Sequence, residues 1–526
     1  MKALSVLYAG SLAPQIFEKL PGGDCAFSMA VKAACSFQDV AKTVIICTDE
    51  HIRNFRNTLC AVEEKAETIS RPSWTKKTLL EEIAARATGF DLVYIAWADC
   101  SLLDPELAKK LAWRHNRFAA HYSYADGWPY GFAPEVLTPQ TAGILAAIAG
   151  DDNAPVERDA IFSIIQKDIN SFDIETEIST ADLRHFRLSF AADSKRNVML
   201  LSHFLESGYK SADDAETFIE KNKMLLRTLP AFFNIQVSAV CPQSCSFCPW
   251  PKYGGASGSG KDFMPKDDFI NLLDTIQEFS GDAVISFSLW GEAALHPEKI
   301  ALIEAVLSRP ALSLVIETSG LGWKDGELQA LSRAARAAAP RVNRQPPLSW
   351  IVSLDAQAPE RYKEIRGAGF AEARACAATL LELFPASAYV QALRVKGFED
   401  DIEQFYRYWK AQAPDRKDNA HIIIQKYDDF SGALDKLQAS DLSPIQRREC
   451  WHIQRDVTIL LDGSVSCCRE DVGALKGSSS KLLWGNVFRE TLSTIWKRGE
   501  AVFAEHCAGE YKGICADCDE YYTYNF

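Results

Sequence analysis

The chain carries three cysteines in one short run, Cys241, Cys245 and Cys248, with the spacing C-x3-C-x2-C. Three thiolates this close together can bind three irons of a [4Fe–4S] cluster, whereas a cluster held by protein alone normally takes four thiolates. The remaining iron is then open to a ligand that is not protein. A zinc site would need a fourth Cys or His to complete a tetrahedron, and the next candidates, His296 and Cys376, are distant in the sequence.

Composition and charge exclude several classes of function. The 526 residues are 47% hydrophobic and 24% charged, which is typical of a globular protein with roughly two to four domains. The formal net charge of -13 argues against a broad nucleic-acid interface. No apolar run reaches the roughly 20 residues that span a bilayer. From the charge and from the apolar runs together, we expect neither a nucleic acid nor a membrane as a partner.

The fifteen cysteines bear on whether the protein works in a reducing or an oxidising compartment. In a long chain without an evident export signal, reduced thiols or metal ligands are favoured over disulfides, so we predict a cytoplasmic protein. Scattered cysteines are usually small core residues. Nine cysteines instead fall into two groups, at 241–248 and 450–518, and short fixed spacing of this kind is typical of metal ligands.

Alternating strand-like and helix-like stretches predict the elements of the N-terminal part, residues 1–200. Segments 4–10, 42–50 and 91–99 have the continuous apolar character of buried strands, with helical periodicity between them. This pattern predicts an α/β domain with a mainly parallel sheet. The polar segment 201–230 is predicted to be a helical connector.

A second series of strand-like and helix-like stretches covers residues 231–435. Helical stretches such as 265–279 and 398–410 separate six predicted strands, which are 232–240, 283–292, 312–318, 349–356, 387–395 and 421–425. Six β–α units predict a partial (β/α)6 barrel, whose chemistry is expected at the C-terminal ends of the strands. The cysteine triad follows the first of these strands. Residues 436–526, with six cysteines, predict a small domain stabilised by metal.

Several motifs of the second series resemble those of the radical S-adenosylmethionine (SAM) superfamily. The aromatic Phe247 precedes the third cysteine of the triad, as is usual there. The second strand ends in Trp290-Gly291-Glu292, similar to the family's Gly-Gly-Glu motif with Trp290 in place of the first glycine. The third strand ends in Glu-Thr-Ser-Gly at 317–320, and the fourth ends in Val-Ser-Leu-Asp at 352–355, followed by Ile-Arg-Gly at 365–367.

This resemblance implies a fold, a cofactor and a reaction. SAM would chelate the open iron of a cluster held by Cys241, Cys245 and Cys248. One electron from the cluster would cleave SAM to methionine and a 5′-deoxyadenosyl radical, which takes a hydrogen from the substrate. The family pattern assigns further cofactor contacts to Phe247, Gly291, Glu292, Ser353 and Asp355, with Glu292 at the methionine ammonium. Ser353 and Asp355 are either ribose contacts or a strand-end cap and turn. The reducing partner would be a flavodoxin or a ferredoxin.

The C-terminal cysteines resemble the SPASM extension of radical SAM enzymes. Cys450, Gly463 and Cys468 follow the pattern C-x12-G-x4-C, and Cys515 and Cys518 form a C-x2-C pair. The full pattern has three more cysteines, so the resemblance implies one auxiliary [4Fe–4S] cluster, bound by Cys450, Cys468, Cys515 and Cys518. Neighbouring residues of a strand face opposite sides, and the spacing from Gly463 favours Cys468 over Cys467. Cys507 is either a bystander or a replacement ligand.

The N-terminal domain resembles sugar nucleotidyltransferases of the cytidylyltransferase type. The resemblance lies in Ala98-Asp99 after the third strand, in Leu103-Asp104-Pro105 and in the segment 127–131. The loop at 9–14 is poor in glycine, and Ala191 stands where a second metal-binding aspartate is expected. We therefore predict a degenerate binding or scaffolding domain, with an active nucleotidyltransferase as the alternative. The combination of the three parts resembles the spiro-SPASM proteins.

These predictions together describe a radical SAM oxidoreductase or modifying enzyme. The SPASM resemblance favours a peptide or protein substrate, and the N-terminal domain favours a nucleotide-sugar-like small molecule. The alternative class is a non-catalytic iron–sulfur electron carrier or scaffold. The glycine-rich segment 255–261 resembles a phosphate-binding loop, but Asp262 replaces the required Ser or Thr, so a linker is predicted there.

Overall fold

A computed structural model describes residues 1–52, 66–150, 154–253, 262–412, 421–476 and 482–523. The predicted linker at 255–261 lies outside these residues. The chain divides into two compact units, Met1–Leu225 and Leu226–Phe526. No helix of the described residues combines the length and the apolar composition that crossing a membrane requires.

The first unit contains a seven-stranded sheet with the order β3-β2-β1-β4-β6-β5-β7. Its strands are β1 Ala3–Ala9, β2 Val40–Thr48, β3 Ala66–Arg71, β4 Leu92–Trp97, β5 Tyr122–Asp126, β6 Glu135–Leu137 and β7 Ile174–Ile178. The strands β1 to β4 are mutually parallel, which confirms the predicted α/β sheet. Only β6 runs antiparallel to its neighbours β4 and β5.

Seven α-helices are described in the first unit: α1 Ala26–Ser36, α2 Lys76–Arg86, α3 Pro105–Arg117, α4 Pro139–Ala149, α5 Ala160–Ile165, α6 Lys195–Glu206 and α7 Ala215–Lys221. Local sequence explains where α3 begins: Asp104 accepts hydrogen bonds from the backbone of Glu106 and Leu107, and proline takes the first helical position. The helix α7 and the second half of α6 lie within the predicted connector region, 201–230. Phe204 of α6 contacts Phe190 and Phe218, so this region packs into the first unit.

The second unit contains a nine-stranded sheet with the order β13-β12-β11-β10-β9-β8-β14-β15-β16. Its strands are β8 Phe232–Ile235, β9 Ala283–Phe287, β10 Leu312–Thr318, β11 Leu348–Ser353, β12 Ala388–Arg394, β13 Ile422–Lys426, β14 Asp456–Ile459, β15 Ser464–Ser466 and β16 Leu483–Asn486. The strands β8 to β13 are parallel and adjacent in chain order. This arrangement confirms the predicted partial barrel.

Nine α-helices are described in the second unit: α8 Trp250–Tyr253, α9 Lys266–Ser280, α10 Lys299–Leu307, α11 Asp325–Ala337, α12 Pro359–Ile365, α13 Phe370–Leu383, α14 Glu399–Gln412, α15 Trp451–Arg455 and α16 Leu492–Cys507. One layer of the barrel interior takes an apolar residue from each parallel strand: Phe232, Val284, Val315, Ile351, Tyr389 and Ile423. Such layers are the way a barrel of parallel strands fills its interior.

The C-terminal part continues the same sheet, which the sequence did not predict. The strand β14 pairs in parallel with β8, from Asp456 opposite Phe232 to Ile459 opposite Ile235. An open barrel leaves the backbone groups of its first strand unpaired, and β14 satisfies them. The segment that carries the C-terminal cysteines is therefore joined by backbone hydrogen bonds to β8, the strand that precedes the cysteine triad.

Candidate functional site

One cleft of about 1110 Å³ lies at the C-terminal ends of the parallel strands in the second unit. All eight residues predicted for the SAM site line it: Cys241, Cys245, Phe247, Cys248, Gly291, Glu292, Ser353 and Asp355. They come from the loops after β8 and β9 and from the end of β11 and the turn after it. The cleft therefore gathers residues that are more than a hundred positions apart in the sequence.

The cysteine loop is held by Arg366, at the C-terminal end of α12. The Arg366 guanidinium donates to Gln243 Oε1 at 3.0 Å from Nε, forms a buried ion pair with Asp355, and lies 5.5 Å from the Phe247 ring centre. Its backbone carbonyl accepts a hydrogen bond from Ser244 N at 3.3 Å. A buried arginine thus orders the loop. The sequence motif contained Arg366 but did not assign it a role.

Asp355 is committed to this support. Its Oδ1 accepts from Leu393 N at 2.8 Å while its Oδ2 pairs with Arg366. Its backbone has a φ of 62°, in the left-handed region that side chains other than glycine seldom adopt. The structure thus places Asp355 in a turn and in an ion pair with Arg366.

Burial controls the protonation of the triad. It raises the pKa of Cys241 to about 11 and that of Cys248 to about 12, and it also raises the pKa of Cys245, although Arg366 acts in the opposite direction. The free thiols are therefore protonated at neutral pH. A cluster held here would bind them as thiolates, so its binding would be coupled to proton release.

Glu292 lies in the loop after β9 and is only 2% exposed. Its Oε1 accepts from Thr318 Oγ1 at 2.7 Å and from Ala294 N at 3.1 Å, and its Oε2 accepts from the Ser319 backbone N at 2.8 Å and from Ser319 Oγ at 2.7 Å. Four donors hold the carboxylate in the wall of the cleft. A ligand ammonium at this place would share a carboxylate that is already oriented.

Gly291 is required by a close approach of two chain segments. A Cβ at this position would lie 1.9 Å from the Ser238 carbonyl oxygen, and its φ is 142°. The preceding Trp290, with a φ of 26°, accepts a hydrogen bond from Gln236 Nε2 at 2.8 Å. Backbone groups of this turn therefore lie directly at the cleft.

Ser353, at the end of β11, belongs to a polar group that spans three strands. Its Oγ donates to Glu317 Oε1 at 2.9 Å, and Gln391 Nε2 donates to the same oxygen at 2.8 Å. Glu317 and Gln391 both line the cleft, and the sequence analysis assigned neither of them to the site. The position of Glu317 near the end of β10 was the sequence feature from which its place in the site could have been predicted.

The far wall of the cleft is formed by Asp428, Phe430 and Arg469. The Arg469 guanidinium donates to Asp428 Oδ2 at 3.2 Å and to Glu470 Oε1 at 3.2 Å. Arg469 directly follows Cys468, so the C-terminal part contributes a charged pair to the cleft. These residues were missed because they lie outside the motifs of the barrel.

A second cavity, of about 340 Å³, collects the C-terminal cysteines. Cys450, Cys468, Cys515 and Cys518 all line it, whereas Cys467 and Cys507 do not. Cys467 is fully buried. Backbone donors already point at two of the sulfur atoms, since Glu470 N lies 3.2 Å from Cys468 Sγ and Glu520 N lies 3.4 Å from Cys518 Sγ.

Three cysteines line the cleft and four line the second cavity. Because each thiolate of a [4Fe–4S] cube binds a different iron, either group could supply cluster ligands.

Two further side chains, Arg447 and His506, line the cavity of the four cysteines. Burial, assisted by the charge of Arg447, lowers the pKa of His506 to about 4. The Arg447 guanidinium donates from Nη1 to the Ala516 carbonyl at 2.8 Å and from Nη2 to the Cys515 carbonyl. It thereby fixes the loop of the C-x2-C pair.

In the first unit, Asp99 is bound by an arginine. Arg158 donates to both oxygens of Asp99, at 3.1 and 2.6 Å, and its Nη2 also pairs with Asp193 at 2.8 Å. The ring centres of Trp97 and Tyr130 lie 4.9 and 4.8 Å from the same guanidinium. The second carboxylate near Asp99 is therefore Asp193, two residues beyond the position that the sequence comparison examined, and a guanidinium lies between the two.

Comparison with known proteins gives one family match and one close relative. Residues 450–519 match the SPASM family, described as an iron–sulfur cluster-binding domain. A protein of Treponema pallidum (strain Nichols), named "Uncharacterized protein", is 35% identical over 376 residues, which is 70% of this chain and 98% of that protein.

Two solved structures are similar to this chain over 52% and 43% of its length. Native anSMEcpe with bound AdoMet is 15% identical, with a TM-score of 0.37, covering 52% of this chain and 83% of that chain. A cytidylyltransferase from Leptospira borgpetersenii serovar Hardjo-bovis (strain JB197) is 16% identical, with a TM-score of 0.36, covering 43% of this chain and 95% of that chain.

The chain combines a SPASM iron–sulfur cluster-binding domain at residues 450–519 with a partial barrel whose cleft is lined by the cysteine triad. It belongs to the family of the Treponema pallidum protein.

Proposed function

We propose that the protein is a radical SAM enzyme that takes a hydrogen from a polar substrate with the help of one auxiliary cluster. The observation that carries this proposal is the single cleft that joins the cysteine triad, Glu292 and Ser353. When bound there, the cluster and SAM would supply one-electron cleavage of the sulfonium and hydrogen abstraction from the substrate.

The residues of the near wall would bind and orient the cofactor. Cys241, Cys245 and Cys248 would hold three irons, with Phe247 covering the loop under Arg366. Glu292 and the backbone at Gly291 would bind the methionine ammonium. Glu317 presents a carboxylate that Ser353 and Gln391 orient through one oxygen, a geometry suited to ribose hydroxyls.

The far wall would bind the substrate. Asp428 and Arg469 offer an acceptor and a donor side by side, and Phe430 offers an apolar surface. A peptide or protein segment and a nucleotide-sugar-like molecule both carry groups that such a wall can bind. The electron would come from a flavodoxin or a ferredoxin, and we expect neither a nucleic acid nor a membrane as a partner.

The auxiliary cluster would be held by Cys450, Cys468, Cys515 and Cys518, which surround one cavity. Four protein ligands would leave no iron open, so electron transfer is the role that fits best. Arg469 lies between this cavity and the cleft, because its own side chain lines the cleft while the preceding Cys468 lines the cavity.

For the first unit we propose a degenerate binding or scaffolding role. Arg158 already satisfies both oxygens of Asp99, so a divalent cation would have to displace a guanidinium. Calorimetry with Mg²⁺ and CTP on the full chain should show no binding. Nucleotide binding that depends on Mg²⁺ and is lost in Asp99→Asn would instead support an active nucleotidyltransferase.

Formation of 5′-deoxyadenosine tests the main proposal. The anaerobically reconstituted and reduced protein should release 5′-deoxyadenosine from SAM, and Cys245→Ala should not. Cys35→Ala, a thiol in α1 that bonds Thr43 at 3.3 Å, is the matched control. Cluster signals without any 5′-deoxyadenosine, with or without peptide or nucleotide-sugar mixtures, would support the electron-carrier alternative.

A further inference from the structure

The cavity of the four C-terminal cysteines contains a buried histidine with an unused ring nitrogen. His506, near the C-terminal end of α16, is 2% exposed. Its Nε2 has no hydrogen-bond partner among the described residues, although its ring lines the cavity. Buried polar groups are rarely left unpaired, so this atom points to something that the cavity is built to hold.

The other nitrogen of the same ring fixes the tautomer. His506 Nδ1 accepts a hydrogen bond from the Cys450 backbone N at 3.4 Å. A nitrogen that accepts a hydrogen bond carries no proton, so the ring proton is on Nε2. The unused atom is therefore an N–H donor on a side chain that lines the cavity of the four cysteines.

Arg447 places a second donor at the same cavity. Its two terminal nitrogens are taken by the carbonyls of Ala516 and Cys515, but its Nε has no partner among the described residues. The guanidinium lies 4.0 Å from the Tyr511 ring centre, and the His506 ring lies 4.9 Å from the same ring. Tyr511 thus packs against both donors and restricts their side chains.

We propose that His506 donates a hydrogen bond from Nε2 to a sulfur of the auxiliary cluster, and that Arg447 adds a second donor and a positive charge, so that the two residues raise the reduction potential of this cluster. Reduction adds negative charge to the sulfur atoms, and donors and cations nearby stabilise the reduced state more than the oxidised state. The inference rests on the auxiliary cluster of the proposed function.

Two other side chains at the cavity also bear on the cluster. Glu470 Oε1 accepts from Arg469, while its Oε2 has no partner among the described residues, and the Ser431 hydroxyl lies at Cys518. The backbone donors of Glu470 and Glu520 reach Cys468 and Cys518, and they remain in any side-chain variant. His506 is the donor whose tautomer the Cys450 contact fixes, and Arg447 adds a positive charge, so the proposal is tested on these two.

Redox titration followed by electron paramagnetic resonance measures the effect. The full chain with all three triad cysteines changed to alanine isolates the auxiliary cluster. In this background, His506→Phe keeps the ring contact with Tyr511 and removes the donor, so the midpoint potential should fall. His506→Gln returns an amide N–H and should restore much of the potential, and Arg447→Gln should lower it. Arg448→Gln, one residue along the chain, is the control and should leave the potential unchanged.

The outcomes separate this inference from the proposed function. Iron content and the cluster spectrum of the wild-type chain come first, and absence of a second cluster would overturn both. A loaded cluster whose potential is the same in the wild type, His506→Phe and Arg447→Gln would overturn this inference alone. If His506→Phe loses the cluster, the potentials of His506→Gln and Arg447→Gln test the inference instead, and a potential equal to that of the wild type in both would overturn it. In protein with ¹⁵N-labelled histidine, the hyperfine coupling between the His506 nitrogen and the reduced cluster should be weak. A strong coupling would show that His506 is an iron ligand and not a hydrogen-bond donor.

Discussion

The cleft and the auxiliary cavity are built from the same kind of ligand but differ in size and in what surrounds the sulfur atoms. The cleft has about 1110 Å³ and three cysteines, with carboxylates and guanidiniums on both walls, whereas the cavity has about 340 Å³ and four cysteines. The walls of the cleft offer charged groups to a cofactor and a substrate beside a cluster. The cavity offers the unpaired donors of His506 and Arg447, which we propose face a cluster.

Their supports also differ. An arginine that pairs with Asp355 and Gln243 holds the triad loop from the side chains. Arg447 instead holds the C-x2-C loop by its backbone carbonyls. The triad loop thus depends on a chain of side-chain contacts, whereas the C-x2-C loop depends on the contacts of one side chain with the backbone.

The largest expected effect is the loss of the catalytic cluster in Cys245→Ala. A bound cluster needs each of its three thiolates, so 5′-deoxyadenosine should fall below detection and iron should fall from about eight to about four per chain. Iron analysis and chromatography of the products measure both. Undiminished product in this variant would remove the distinction between an open catalytic site and a closed one.

The next effect should separate Cys468 from its neighbour. Because Cys468 lines the cavity and Cys467 does not, Cys468→Ala should lose about four irons per chain and Cys467→Ala should lose none. The triad cluster should remain in both variants. The reverse result would mean that Cys467, and not Cys468, is the ligand that the segment after β15 supplies.

Arg366→Ala should destabilise the protein by about 3–5 kcal/mol, since it leaves the buried carboxylate of Asp355 without its partner. Denaturant unfolding measures the loss, and Arg366→Lys should recover part of it. Arg374→Ala in α13, whose guanidinium lies 5.2 Å from the Phe370 ring centre, is the matched control and should change stability little. Equal stability of Arg366→Ala and the control would contradict the support that we describe.

The smallest effect should be that of Glu317→Gln. The amide keeps the shape of the side chain and an acceptor for Ser353 but removes the charge, so SAM should bind more weakly by about 1.5 kcal/mol, or roughly tenfold. Equilibrium binding of SAM to the reconstituted protein measures this. Glu372→Gln, whose carboxylate accepts from Gly322 N at 2.9 Å outside the cleft, is the control. An unchanged affinity for SAM in Glu317→Gln would mean that Glu317 does not contact SAM and is available to the substrate.

Much of the fold followed from local sequence patterns. The predicted strand 312–318 coincides with β10, and the helix predicted at 265–279 is α9, Lys266–Ser280. These elements are set by periodicity and apolar runs, which a short segment carries by itself. The pairing of β14 with β8 could not be predicted in this way, because it joins segments more than two hundred residues apart.

The sequence by itself determined the ligand groups, since three thiols within eight residues, or two within four, stay close whatever the rest of the chain does. Only the tertiary structure decided what surrounds them. Arg366 with Asp355, Glu317 with Ser353 and Gln391, and His506 with Cys450 meet through the chain path. The reason is physical: a side chain of one strand or loop finds its hydrogen-bond partner on a neighbour in space, and sequence spacing does not specify that neighbour.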